Sequence, residues 1–181
     1  MMGRPLIAVA DDPGGLAAPL LELERLVDAL VSVIMAAPPG AYVARPFAAA
    51  SGSIGEHVRH AIDHIGALVG GRSATILSYD RRERGGAVEW DPGAALRQLC
   101  RVKAALAQWA AQAVDAPIQV VSQVSPSGAV VTGWSTVARE LAFVISHTIH
   151  HQALIALLLE AQGLVAPDRF GYAPSTPAAT A

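Results

Sequence analysis

Six histidines occupy two short windows of this chain: His57, His60 and His64 in one, and His147, His150 and His151 in the other. Imidazole is a common ligand for divalent metals and binds them through a neutral ring nitrogen. His147 and His151 are four residues apart, so on a helix they project from one face, one turn apart. That spacing suits two imidazoles on one ion. Val144, Leu154 and Leu158 continue the same stripe, which points the pair toward apolar packing rather than open water. A buried imidazole without a partner is costly. A metal, or a group across the fold, removes that cost. The third ligand must come from the first window, where the spacings are three (His57 to His60) and four (His60 to His64). Helical periodicity puts His57 and His64 at the edge of that segment's apolar stripe and His60 further round. Spacing alone does not choose among them. A single i,i+4 histidine pair usually binds nothing, but two triplets in otherwise apolar helices are harder to dismiss.

The elements that must carry these residues read as helices. A first helix is expected from about Pro19 to Ala36, with Leu20, Leu23, Val27, Leu30, Val31 and Ile34 at spacings of three and four. Pro38-Pro39-Gly40 stops it, and a loop follows through Arg45-Pro46. Ser53-Ile54-Gly55-Glu56 fits a capping box and opens the helix of the first histidine window, which runs to about Val69 before Gly70-Gly71. Residues 72–90 are irregular and rich in charge. Asp91-Pro92 starts a third helix, with Ala95, Leu99, Val102, Leu106, Trp109 and Ala113 on its core face. Two β-branched runs, Ile118–Val121 and Val130–Thr132, flank the turn Ser125-Pro126-Ser127-Gly128 and read as a hairpin or a plain extended crossover. The fourth helix spans about Ser135 to Gln162, with Gly163 after its end. It is apolar nearly all round, so more than one face must be covered, and a homodimer interface would do that. The expected divisions are a flexible segment at 1–15, one domain at 16–165 and a tail at 166–181.

Composition excludes several classes. Of 181 residues, 52% are hydrophobic and 15% charged, which excludes a disordered, solvated chain. Alanine supplies 36 residues and favours helix over sheet. The net charge of −2 argues against a nucleic-acid partner. The single cysteine, Cys100, excludes an internal disulfide framework and fits a reducing cytoplasm. The start has an apolar run of five residues, Leu6 to Ala10, too short for a signal-peptide core. The apolar stretch from Leu141 to Glu160 contains three histidines, which would be costly at mid-membrane depth. It is expected to be a buried helix, with no membrane partner.

Ser53-Ile54-Gly55-Glu56-His57-Val58-Arg59-His60-Ala61-Ile62-Asp63-His64 resembles the second-helix motif of the DinB-like metalloenzyme family. Ser146-His147-Thr148-Ile149-His150-His151-Gln152 resembles that family's His-x-x-x-His signature. The order of elements also agrees, and the resemblance covers roughly residues 16–165. It implies an all-α four-helix bundle with a long crossover before the last helix, and one divalent metal held by three histidines. In the family the first ligand stands in a His-x-x-Asp context, seven residues after the capping position. Here that is His60, followed by Asp63. The other two ligands fall on His147 and His151.

Three neutral imidazoles leave coordination positions open, the arrangement of a catalytic rather than a closed structural metal. An open position lowers the pKa of a bound water or thiol toward neutrality. Two chemistries follow for a small-molecule substrate: hydrolysis of an amide or ester, or transfer of a low-molecular-weight thiol to an electrophile, as characterised relatives perform. No separate nucleophile stands out, because Cys100 reads as inert packing within the third helix. Thiol S-transfer is therefore favoured, since the nucleophile arrives with the cosubstrate. The rival class is a non-catalytic, metal-binding or stress-associated bundle. Imidazoles suit zinc, nickel and iron alike. Glu140, seven residues before His147, is either an acceptor for an imidazole N–H or an ordinary first-turn glutamate. Asp63 either orients an imidazole or lies on an exposed face. His57, His64 and His150 are left over, as surface residues or supports of the ligands in preference to a fourth ligand. Arg81, Arg82 and Arg84 either hold substrate carboxylates or form a solvated loop with Asp80 and Glu83. Paired Glu-x-x-His motifs of di-iron bundles are absent.

Overall fold

The computed structural model describes residues 15–47, 52–70, 76–80, 85–110 and 115–177. Its elements are α1 (Ala17–Ala36), α2 (Pro39–Val43), α3 (Ile54–Gly70), β1 (Ile76–Leu77), α4 (Pro92–Ala110), β2 (Pro117–Gln123), β3 (Val130–Thr136) and α5 (Val137–Glu160). A single 3-10 turn, Ala87–Glu89, precedes α4. Each of the four long helices packs chiefly on two others: α1 on α4 and α5, and α3 on α4 and α5. The shared core holds Leu23, Leu30, Ile54, Ile65, Leu99 and Leu141, each fully enclosed.

Local signals explain the helix starts. The Ser53 Oγ accepts the Glu56 N–H at 3.2 Å, and the Glu56 carboxylate accepts the Ser53 N–H at 2.7 Å, which completes the expected capping box. Asp91 accepts the Gly93 N–H at 2.8 Å at the start of α4. Thr136 caps α5 by accepting from the Arg139 N–H. Gly55 lies where α3 meets the 3-10 turn so closely that a Cβ would collide with the Glu89 carbonyl and the Tyr42 ring. Arg59 closes the same junction, with ion pairs to Asp63 at 2.6 Å and Glu89 at 2.7 Å.

The fold is mostly helical but not all-α. A three-stranded sheet stands beside the helices in the order β1-β2-β3, with β1 and β2 parallel and β2 and β3 antiparallel. The hairpin is the one expected from the β-branched runs, in register from Pro117↔Thr136 to Gln123↔Val130. The third strand, β1, is too short to announce itself and exists only because β2 offers it an edge. The expected loop after Pro38-Pro39-Gly40 contains α2, whose Tyr42 is buried and donates to the Val88 carbonyl at 2.6 Å.

The faces of α5 are covered from within the chain by α1, α3 and β3. The C-terminal tail adds to this cover, since Phe170 is buried in the core. Gly171 lies against the α5 backbone at Gln152 and Ala153, with φ +78°, and leaves no room for a Cβ. Much of the apolar character of α5 is therefore a core property, although Leu157 remains 52% exposed. By length and composition α5 could cross a membrane. In this fold it is a central helix, with Glu140, Thr148, His151 and Gln152 all buried.

Candidate metal centre

Helices α3 and α5 bring the two histidine windows together. Along α3, His57, His60 and His64 fall within an arc of about 60° at 100° per residue, so one cleft receives all three. Periodicity misplaced His60 because the facing α5 surface is itself polar there. The His60 Nε2 lies 2.9 Å from the His147 Nε2, and the His151 Nε2 lies 3.2 Å from that same nitrogen. The His60 ring centroid is 4.5 Å from that of His151 and 4.3 Å from that of His64. His151 and His64 are buried, His57, His60 and His147 are half-buried, and His150 is exposed at the rim.

These distances fit a shared cation. Two imidazole nitrogens bound at 2.0–2.1 Å lie about 3.3 Å apart around a tetrahedral ion and about 2.9 Å apart at neighbouring octahedral positions. Hydrogen bonding alone suits the arrangement less well. The His147 Nε2 faces two Nε2 atoms, and one N–H cannot serve both with good geometry. Burial pushes the His151 imidazole down to about 2, and the neighbouring His60, His147, His57 and His150 lower it further in that order. The ring is thus neutral at physiological pH, as a metal ligand must be.

The structure also places the remaining histidines. Candidate ligand nitrogens of His60, His64 and His147 all lie within 4.8 Å of one another. The His64 Nδ1 is 3.1 Å from the His60 carbonyl, to which it donates, so its Nε2 carries the lone pair. His60 and His147 therefore belong to two overlapping triplets, completed by His151 or by His64. The His57 Nδ1 is 3.0 Å from the His151 Nδ1, on the far side of that ring from the Nε2 cluster.

An aromatic wall closes the centre toward the sheet. Tyr79 stacks on His64 at 5.1 Å with the planes 5° apart, and Phe143 stacks on His147 at 5.5 Å. The Tyr79 phenol donates to Glu140 at 3.0 Å. Burial, followed by the Glu140 carboxylate, raises that phenol far above its ordinary range. Glu140 is 1% exposed and also accepts from the Ser135 hydroxyl at 2.7 Å and from Arg139 at 2.8 Å. The buried first-turn glutamate thus holds Tyr79, the ring that stacks on His64. The sequence reading missed Tyr79 as a site residue, although an aromatic beside a run of charges was the available signal. Strand β1 and the Asp80 carboxylate, which accepts the Gln123 N–H at 2.6 Å, hold its segment in place.

Other candidates resolve differently. Asp63 is the partner of Arg59 at the α3 junction. Cys100 is exposed on α4, which corrects the expectation of inert packing. Arg81, Arg82 and Arg84 lie outside the described residues. Beyond the aromatic wall an open groove of about 310 Å³ is lined by Val120, Val131, Trp134, Ser135, Arg139 and Glu140 among others.

The chain is 31% identical over 103 residues to FK506-binding protein 5 of Rhizopus delemar, a match that covers 56% of this chain and 27% of that protein. The chain thus spans about a quarter of that relative's length. No solved structure matches. Residues 22–155, which include both histidine windows, match the family profile of the DinB superfamily, and the chain belongs to that superfamily.

Proposed function

We propose that the protein is a DinB-type metalloenzyme that holds one divalent cation through His60, His147 and His151. The observation that carries this reading is the His147 Nε2, placed 2.9 Å and 3.2 Å from the Nε2 atoms of His60 and His151. His151 is preferred to His64 as the third ligand because His147 and His151 match the family's His-x-x-x-His signature and their Nε2 atoms lie 3.2 Å apart. The four long helices serve as a four-helix bundle that carries the site at its edge. The reading includes a cytoplasmic homodimer.

A divalent ion in three imidazoles supplies an open Lewis-acid position that lowers the pKa of a bound water or thiol. The chain's own residues do the rest. Tyr79 and Phe143 cover His64 and His147 and exclude water from one side. Arg139 lines the neighbouring groove and presents N–H donors to an anionic group of a small substrate. No side chain of the cluster is a separate nucleophile, which favours transfer of a low-molecular-weight thiol over hydrolysis. Zinc, nickel and iron(II) all suit the ligand set.

The test is elemental analysis of tag-free protein beside His147→Ala. About one metal per chain, lost in the variant, is expected from a single three-histidine site. No metal in either protein after incubation with zinc, nickel and iron(II) would overturn the reading. The loaded protein should then consume a small thiol in the presence of an alkylating electrophile. Metal binding without thiol transfer or ester hydrolysis would leave a non-catalytic metal-binding bundle.

A further inference from the structure

We propose that His57 is a positioning residue: its Nδ1 accepts the Nδ1–H of His151 and locks His151 in the tautomer that turns a bare Nε2 toward His60 and His147. This rests on the three-histidine reading above.

The argument follows from the two edges of one ring. The His151 Nε2 lies 3.2 Å from the His147 Nε2, so it belongs to the nitrogen cluster. A neutral imidazole has a single N–H. If its Nε2 is to carry a lone pair, the proton must sit on Nδ1. That Nδ1 lies 3.0 Å from the His57 Nδ1, a normal hydrogen-bond distance. His151 is buried, so an Nδ1–H without an acceptor would be costly. The two rings are 5.2 Å apart and inclined at 40°, which aims edge at edge rather than face at face. His57 is also firmly held. It lies in the first turn of α3, and its N–H donates to the Ser53 carbonyl at 3.2 Å, next to the capping box. Its Nδ1 meets the far edge of the His151 ring, so it supports the ligand rather than serving as one. His64 has the same kind of support, since its Nδ1 donates to the His60 carbonyl. Metal-bound histidines characteristically donate their second N–H in this way.

The test uses the full chain with His57→Leu and His57→Asn. The asparagine amide oxygen reaches about where the histidine Nδ1 lies, so it restores the acceptor. Zinc affinity is measured by chelator competition, and the cobalt(II) form by its visible absorption. The leucine variant should bind zinc about 10–100-fold more weakly, the usual effect of removing such a partner. The asparagine variant should recover most of that loss, and both should keep the native cobalt(II) band shape. Unchanged affinity in His57→Leu would overturn the proposal. A band shape altered in both variants would overturn it in favour of direct ligation by His57. Imidazole nitrogen NMR of the metal-free protein gives an independent reading. The His151 Nδ1–H tautomer should dominate in the native chain and in His57→Asn, and a dominant Nε2–H tautomer in the native chain would also overturn it. If the native chain takes up no metal, the centre fails, while the tautomer still decides the role of His57.

Discussion

His151 combines burial with a titratable ring, and the consequence can be measured as a pH dependence. Its folded-state pKa is pushed down to about 2 by burial and then by its imidazole neighbours, whereas an unfolded histidine titrates near 6.5. Between these values the unfolded chain binds the extra proton, so acid favours unfolding. The metal-free protein should therefore hold its stability above pH about 6.5 and lose it progressively below that point. Thermal unfolding midpoints between pH 7.5 and 5 check this. A midpoint unchanged across that range would show that the ring protonates freely within the fold, and His151→Leu should flatten part of the slope. The His147 and His151 pair was legible at this scale because residue type and i,i+4 spacing suit coordination directly, whereas His60 was singled out among the first three histidines only by the family motif. Tyr79 was not, because its position over His64 comes from strand pairing elsewhere in the chain.

Each histidine window depends on where its helix begins. The α3 capping box satisfies two amides of the first turn, and His57 follows one residue after Glu56. Ser53→Ala should destabilise the protein by about 1 kcal/mol, the usual loss for such a cap. Urea unfolding at equilibrium would show it, and a loss below a few tenths would mean that the box contributes little. The boundaries of the long helices were readable because caps, Pro and Gly act within a few residues. The sheet was only half readable: the hairpin had its turn and β-branched runs, whereas the two-residue β1 had no local signal. Likewise α2 formed inside a segment rich in Pro and Gly because Tyr42 gains a buried seat and a hydrogen bond to Val88.

The whole molecule closes over α5 by folding its own C-terminal segment against it. Phe170 is 5% exposed in the common core, and Gly171 permits the close approach to Gln152 and Ala153. Phe170→Ala should cost about 3 kcal/mol, at the lower end for a buried Phe truncated to Ala. Denaturant unfolding checks this, and a loss under about 1 kcal/mol would show that the segment merely rests on the surface. This packing accounts for much of the apolar surface of α5, while Leu157 stays 52% exposed. That could not be read from composition, because periodicity shows that a face is apolar but not what covers it.

The sequence by itself determined the long helices, their caps, the hairpin and the two histidine windows, since all of these follow from interactions between residues close in the chain. The tertiary structure alone decided which imidazoles meet and on which nitrogen. It also set Tyr79 and the buried Glu140 beside them and laid Phe170 over α5. Those outcomes depend on contacts between residues far apart in the chain, such as His57 with His151, and only the packing of helix on helix brings such residues within hydrogen-bonding or metal-binding range.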